Sequence, residues 1–191
     1  MVRINLMEIA KKFKEDNLRN IKKHKDFRTA AEYVVDLIKD VPEVVKIVLF
    51  GSVGQPLQKE YSRFRKYKHF GKEIYHECKN VDLAVWVNDF KCLKQILKIR
   101  NRSSTKLFEE KHIGIAHHQI EIFIFEPESN QYIGRLCIFN ECPKEGKREC
   151  LVPGCGEIPL VKKVEGFTLY DDALAAERSI LLYQMNDSKS E

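Results

Sequence analysis

The sequence lacks the features that would place a protein in or across a membrane. No apolar run approaches the roughly 18 residues that a membrane-spanning helix needs. The N-terminal stretch MVRINLMEIAKKFKED carries a charge every few positions and has no apolar h-region, so we expect no secretory signal. Internal repeats and low-complexity tracts are absent as well. These absences predict a cytoplasmic protein without a membrane partner.

The sequence also lacks the cysteine pattern of a secreted disulfide framework. It has six cysteines, and a chain without an export signal is expected to keep its thiols reduced. Cys78 and Cys92 stand apart, in or beside apolar segments, and are expected to be packing residues. The C-x2-C pairs of the strongest zinc signatures are missing too. The other four cysteines fall within residues 137–155 and need a separate explanation.

What the sequence does contain is the composition of an ordinary globular domain. It has 191 residues, 43% of them hydrophobic and 32% charged, which is enough to bury one sizeable core. We expect a main domain over residues 1–130 and a cysteine-rich segment packed on it over residues 131–170. A C-terminal helix and tail are expected over residues 171–191.

Apolar periodicity predicts helices that alternate with buried strands. Two helices are predicted first, one over 4–22 and one that begins near Asp26 and ends before Pro42. The later predicted elements are strands over 44–50, 81–87 and 120–125 and helices over 89–111 and 171–183. The stretch YIGRLCIF fits either a strand or a short helix. Strands this apolar need cover on both faces, so we expect an α/β or α+β fold with a small mixed sheet flanked by helices.

Small residues and isolated carboxylates stand at the ends of the three predicted strands. LFGS (49–52) ends the first strand, while VDLAV (81–85) and IEIFI (120–124) carry one acid each among apolar neighbours. A glycine lets the backbone approach a phosphate, and a serine hydroxyl with free N–H groups can bind it. Residues i and i+2 of a strand point to the same face, so two carboxylates at that spacing can share metal ions.

These motifs, over roughly residues 27–126, resemble the DNA polymerase β-like nucleotidyltransferase superfamily. The resemblance implies that Gly51 and Ser52 hold the triphosphate of an NTP and that Asp82 and Glu121 bind Mg²⁺. It further implies transfer of a nucleoside monophosphate to an unknown acceptor. In that family, two carboxylates two residues apart and a third from a following strand bind two metal ions.

The second of those carboxylates is missing, because Ala84 stands two residues after Asp82. Three interpretations stay open. The site uses one metal or borrows a ligand from EIYHEC, residues 73–78; it binds a nucleotide without turnover; or the fold has another use, as an inactive nucleotide-, RNA- or protein-binding module. Whether the protein is an enzyme is therefore undecided by sequence.

A basic and aromatic insertion lies between the first two motifs. KEYSRFRKYKHFGK, residues 59–72, interleaves Lys and Arg with aromatic side chains, a combination that contacts phosphates and stacks on bases. A nucleic-acid partner is one interpretation, and a solvated surface insertion is the other. Binding of nucleic acid through this insertion and the cysteine segment alone would be steeply salt-dependent.

The cysteine segment CIFNECPKEGKRECLVPGC has the spacing C-x4-C-x7-C-x4-C. Zinc binds four thiolates at tetrahedral corners, so the segment predicts a structural zinc site made by Cys137, Cys142, Cys150 and Cys155. Reduced cysteines packed in a loop, or three cysteines completed by a histidine, are the alternatives. With its flanks, the segment also resembles one found in small bacterial nucleotidyltransferase-like proteins. The histidine candidates, His117 and His118, are expected at the surface, and the alternative is that one of them reaches the active cleft.

Overall fold

A six-stranded mixed sheet is the centre of the computed structural model, which describes residues 6–57, 73–139, 157–163 and 172–185 and the single positions 142, 150, 155 and 169. The strands are β1 (Val44–Phe50), β2 (Val81–Val87), β3 (Ile120–Phe125), β4 (Tyr132–Leu136), β5 (Val161–Lys162) and β6 (Ile180–Gln184). The helices are α1 (Leu6–Ile38), the one-turn α2 (Gly51–Gly54) and α3 (Leu93–Lys111), with 3-10 turns at Phe90–Cys92 and His117–Gln119. The predicted fold class, a mixed sheet with helices, is confirmed, and so are the first three strands.

The strand order is β5-β4-β3-β2-β1-β6. Strands β2 and β3 are parallel, and all other neighbours in the sheet are antiparallel. A parallel pair needs a crossover connection, which α3 supplies between β2 and β3. The end of β1 and the starts of β2 and β3 therefore lie at one edge of the sheet.

Helices α1 and α3 cover one face of the sheet. The alternate side chains Val81, Leu83, Val85 and Val87 of β2 point into this main core. Helix α1 contributes buried side chains at helical spacing, and they are Phe27, Ala30, Ala31, Val34, Val35 and Ile38. Cys78 and Cys92 are buried in the same core, as expected for packing residues. No described helix is long and apolar enough to cross a membrane.

The opposite face of the sheet is aromatic. Its buried cluster consists of Val48, Phe50, Ala84, Trp86, Phe123 and Phe125. Tyr132 packs against this cluster, and so do Leu169, Ala173 and Leu174 from the C-terminal part of the chain. The predicted site residues Asp82 and Glu121 belong to this face, because they alternate with the core residues of β2 and β3.

Helix α1 is continuous where the sequence predicted two helices. The predicted boundary near Asp26 is wrong, because the carboxylate of Asp26 accepts a hydrogen bond from Lys22 Nζ at 2.5 Å within the helix. No glycine or proline interrupts residues 6–38, so nothing breaks the helix. The following segment is tied to α1 by Asn17, which bonds the backbone of Glu73 at 2.7 Å and of Tyr75 at 3.0 Å.

The predicted C-terminal helix over 171–183 is wrong as well. Residues 172–178 form turns and bends, and Ile180–Gln184 form β6, which pairs with β1. The stretch DDALAAER has good helix formers, but ILLYQ gives β1 a partner that it would otherwise lack on that side. Tertiary pairing overrides the local preference. The undecided stretch YIGRLCIF contains a strand, β4.

Candidate functional site

The turn after β1 is in direct contact with the acid of β2. Gly51 has a φ of +69°, a left-handed conformation that favours glycine. A Cβ atom built on Gly51 would lie 2.3 Å from Oδ2 of Asp82, so a larger residue would collide with that carboxyl group. The antiparallel register places Phe50 opposite Asp82, which brings the turn to this position. The structure thus brings together two of the residues that the sequence predicted for one site.

Glu121 stands level with Asp82 in the parallel register of β2 and β3. Its carboxylate forms an ion pair with Arg135 of β4. Its other oxygen accepts a hydrogen bond from Asn80 Nδ2 at 3.2 Å. We call Gly51, Asp82, Glu121 and Arg135 the Asp82 site. Sequence reasoning missed Arg135, whose only signal was a single charge in an otherwise uncharged strand.

The environment of Asp82 opposes its ionisation. Burial is the main cause, the negative charge of Glu121 adds to it, and Arg135 acts in the other direction. Together these effects raise the pKa of Asp82 to about 7. No hydrogen bond or ion pair to the Asp82 carboxyl group is present among the described residues. A cation or a proton is therefore what this group needs near neutral pH.

The place of the missing second carboxylate is apolar. Ala84 is fully buried in the aromatic cluster, where Phe50 and Phe123 meet edge to face with ring centroids 5.0 Å apart. A pair of metal ions bridged from this position does not fit such surroundings.

The hypothesis of a ligand borrowed from residues 73–78 stays a prediction, and the described acids of that stretch have partners other than Asp82. The carboxylate of Glu77 pairs with Lys23 of α1 at 2.8 Å, and that of Glu73 accepts a hydrogen bond from the Tyr75 hydroxyl at 2.9 Å. His76 is buried, with Nε2 3.3 Å from the Ser52 carbonyl oxygen and Nδ1 3.1 Å from a second backbone carbonyl. These two contacts tie His76 to the backbone that follows Gly51.

Among the described residues, no three His, Cys, Asp or Glu side chains are grouped as metal ligands. Cys137, Cys142, Cys150 and Cys155 are partly buried and not in disulfides, but most of the segment that joins them lies outside the described residues. The zinc site stays a prediction, which metal analysis of the purified protein would test.

Two of the cavities lined by described residues involve the strands of the Asp82 site. The aromatic cavity, of about 410 Å³, is lined by Lys46, Val48, Trp86, Phe125, Asn130, Tyr132, Leu169 and Leu174. The Trp86 ring stacks on Phe125 at 4.6 Å, and its Nε1 donates a hydrogen bond to Asn130 Oδ1 at 2.9 Å. Lys46 Nζ lies 4.6 Å from the centre of the Trp86 ring. Aromatic side chains and one positive charge therefore form part of its wall.

The second cavity, of about 290 Å³, touches the Asp82 site through Glu121 and Arg135. His118 also lines it, so one of the two predicted histidines is beside the site, and both are exposed at the surface. Neither cavity was predicted from the sequence, because each combines residues from several strands and loops.

No protein family, curated protein or solved structure matches this chain significantly. The geometry of the two cavities and the Asp82 site is therefore the basis for any functional proposal. The basic insertion at residues 59–72 lies outside the described residues, and its predicted role in nucleic-acid binding stays a prediction.

Proposed function

We propose that this protein binds a nucleotide on a nucleotidyltransferase-like fold and does not transfer it with two metal ions. The observation that carries the proposal is the contact between the Gly51 turn and the Asp82 carboxyl group, level with Glu121 at one edge of the sheet. The left-handed turn at Gly51 lets the Asp82 carboxyl group pack directly against the backbone at the end of β1, where the sequence predicts a phosphate contact. The strand–Gly-Ser–acid order that resembles nucleotidyltransferases supports the same assignment.

The charges of the site favour a nucleotide that arrives with a cation. Asp82 needs a positive partner to face a phosphate, and one Mg²⁺ ion bound to the phosphates supplies it when present. The ion pair with Arg135 already engages Glu121, and Ala84 is enclosed by aromatic rings. Binding with at most one ion therefore fits these residues better than transfer with two.

The aromatic cavity supplies a place for the base. It lies on the same face of the sheet as the Asp82 site, and Trp86 follows Asp82 by four residues along β2. At about 3.3 Å per residue, the two are roughly 13 Å apart along the strand. Aromatic rings bind bases by stacking with little preference for one base, so we expect weak base selectivity.

Trp86 allows a direct test, because it is the only tryptophan of the chain. Titration with each Mg²⁺–NTP is expected to change its fluorescence saturably, and inorganic triphosphate, which has no base, is expected to leave it unchanged. Phe125→Leu should weaken the response, because it removes the ring stacked on Trp86. Phe108→Leu is the matched control, since Phe108 is 61% exposed on α3. A folded protein whose emission responds to none of the four NTPs would contradict the placement of the base.

Nucleotidyl transfer with a single Mg²⁺ is the second candidate. The observation that favours it is the Asp82 carboxyl group, which has no ion-pair partner among the described residues. Incorporation of an α-phosphate label into RNA or protein, abolished by Asp82→Asn, would establish transfer. Label incorporation that persists in the variant would exclude Asp82 from the reaction.

A further inference from the structure

The second cavity is basic and is built from several elements. We call it the basic pocket. It lies where β3 begins and β4 ends, with α3 and β5 beside it. Its lining consists of Arg100, His118, Ile120, Glu121, Ile122, Arg135, Leu136, Ile138, Phe139 and Lys162. Its volume of about 290 Å³ is at the lower end of ligand sites, which span about 300 to 1,000 Å³.

Arg100 is a buried cation without a carboxylate partner in the described part of the chain. It belongs to α3, is 1% exposed, and lines the pocket. Its Nε and Nη2 donate to a neutral acceptor, Oδ1 of Asn101, at 3.2 and 3.0 Å. A guanidinium has five N–H donors, so most of its donor capacity is not used by these bonds. Burial lowers the pKa of Arg100 to about 10, and the charge is therefore costly while no anion faces it.

The other charges of the pocket do not compensate Arg100. Arg135 is engaged by Glu121, the one carboxylate of the lining. Lys162 stands opposite Arg135 in the register of β4 and β5 and adds a further positive charge. Three cations and one carboxylate leave a formal charge of +2 among the described lining residues, with His118 neutral. These cations come from one helix and two strands, so the fold brings all three to the same pocket.

We propose that the basic pocket binds a phosphate group, with Arg100 as its main charged contact. A phosphate monoester carries about −1.5 to −2 charges near pH 7, which matches the formal charge of the lining. The planar guanidinium of arginine binds phosphate oxygens through paired hydrogen bonds. A carboxylate ligand, with a single charge, would leave the pocket positively charged. The inference stands apart from the proposed function, because inorganic phosphate alone is the probe.

Thermal unfolding with increasing inorganic phosphate, at ionic strength held constant with NaCl, tests the inference. The unfolding temperature of the wild-type protein should rise with phosphate concentration until the site is saturated. In a separate series, NaCl without phosphate should raise it less or not at all. Arg100→Met should lose the phosphate effect, and without phosphate it should unfold at or above the wild-type temperature, since no carboxylate loses a partner. Lys162→Gln should weaken phosphate binding about tenfold. Lys98→Gln is the matched control, an exposed position two residues before Arg100 on α3.

The outcomes separate this inference from the proposed function. The proposed phosphate site would be contradicted if phosphate stabilised wild type and Arg100→Met equally. It would also be contradicted if phosphate stabilised wild type no more than NaCl does. If Arg100→Met does not fold, the phosphate stabilisation of Lys162→Gln is compared with that of Lys98→Gln. Equal phosphate stabilisation of these two variants would then contradict the phosphate site. Phosphate binding without any NTP binding would support the pocket and contradict the proposed nucleotide function. If Arg100→Met binds NTP as wild type does, and phosphate stabilises neither protein, the proposed nucleotide function is supported and the phosphate site is contradicted. A comparison of phosphate with AMP separates free phosphate from the phosphate of a larger ligand.

Discussion

The raised pKa of the Asp82 carboxyl group makes the stability of the folded protein depend on pH. In the unfolded chain its carboxyl group loses a proton near its usual pKa of 3.8, whereas in the folded protein it does so near pH 7. The folded state therefore binds more protons between these values, and the contribution of Asp82 to stability is lost as the pH rises from about 4 to 7.

Asp82→Asn should remove this loss. Because one pKa unit corresponds to about 1.4 kcal/mol, the stability of the variant relative to wild type should increase by about 2 to 3 kcal/mol between pH 5 and pH 7 and then stay constant. Urea unfolding at several pH values measures the difference. Asp40→Asn, at an exposed position, is the control and should show no such trend. A difference between Asp82→Asn and wild type that does not depend on pH would contradict the assigned environment.

The variant Ala84→Asp tests whether the second carboxylate, which this sequence lacks, can be restored. Ala84→Asp should lower the free energy of unfolding by about 3 kcal/mol or more, because it places a carboxyl group among buried aromatic rings. It should not create Mg²⁺ binding. Ala176→Asp, at an exposed position, should stay within about 0.5 kcal/mol of wild type. Denaturant unfolding and Mg²⁺ calorimetry check both points, and a stable Ala84→Asp variant that binds Mg²⁺ would disprove the interpretation.

The sequence predicts the positions of Asp82 and Glu121 but not the residues that contact them. Strand alternation places Asp82 and Glu121 on the face opposite the main core, and this can be read from their apolar neighbours. The ion pair of Glu121 with Arg135 depends on the register of β3 and β4. From the sequence, the stretch that forms β4 could not be distinguished from a short helix. Arg100 lies seven residues after Leu93 and three after Leu97, on the apolar face of α3, so its helical spacing was the signal for its burial.

Among the secondary-structure elements, β6 shows why the C-terminal prediction failed. Alanine-rich residues before it have high helix propensity, and the later ILLYQ fits a helix or a strand equally well. The free edge of β1 decides the outcome, and this edge exists only once the sheet has formed. The predicted boundary inside α1 was wrong for a different reason. Asp26 is a good N-cap residue, but no glycine or proline ends the helix before it, so the helix continues through Asp26.

Two neighbouring leucines of β6 test its assignment as a strand. Leu182 packs against the main core, whereas Leu181 is 54% exposed. Leu182→Asn should lower the free energy of unfolding by about 2 kcal/mol, and Leu181→Asn by less than about 0.5 kcal/mol. Denaturant unfolding of the two variants provides the comparison. Equal losses would contradict the alternation of a strand at this position.

For the whole molecule, the division of the sheet into two faces determines where a ligand can bind. Helices α1 and α3 fill one face with the main core. The other face carries the aromatic cavity and the Asp82 site, which adjoins the basic pocket through Glu121 and Arg135. The fold class could be predicted from the alternation of helices and strands. The cavities could not, since they arise where residues distant in sequence meet.

Calorimetric titration with ATP, GTP, CTP and UTP, each with and without Mg²⁺, measures the proposed nucleotide binding itself. We expect wild type to bind at least one NTP and Mg²⁺ to strengthen the binding. Asp82→Asn should lose the effect of Mg²⁺, while Asp40→Asn should keep it. Absence of NTP binding by the folded wild-type protein under both conditions would contradict nucleotide binding, and an Asp82→Asn variant that responds to Mg²⁺ like wild type would contradict the site.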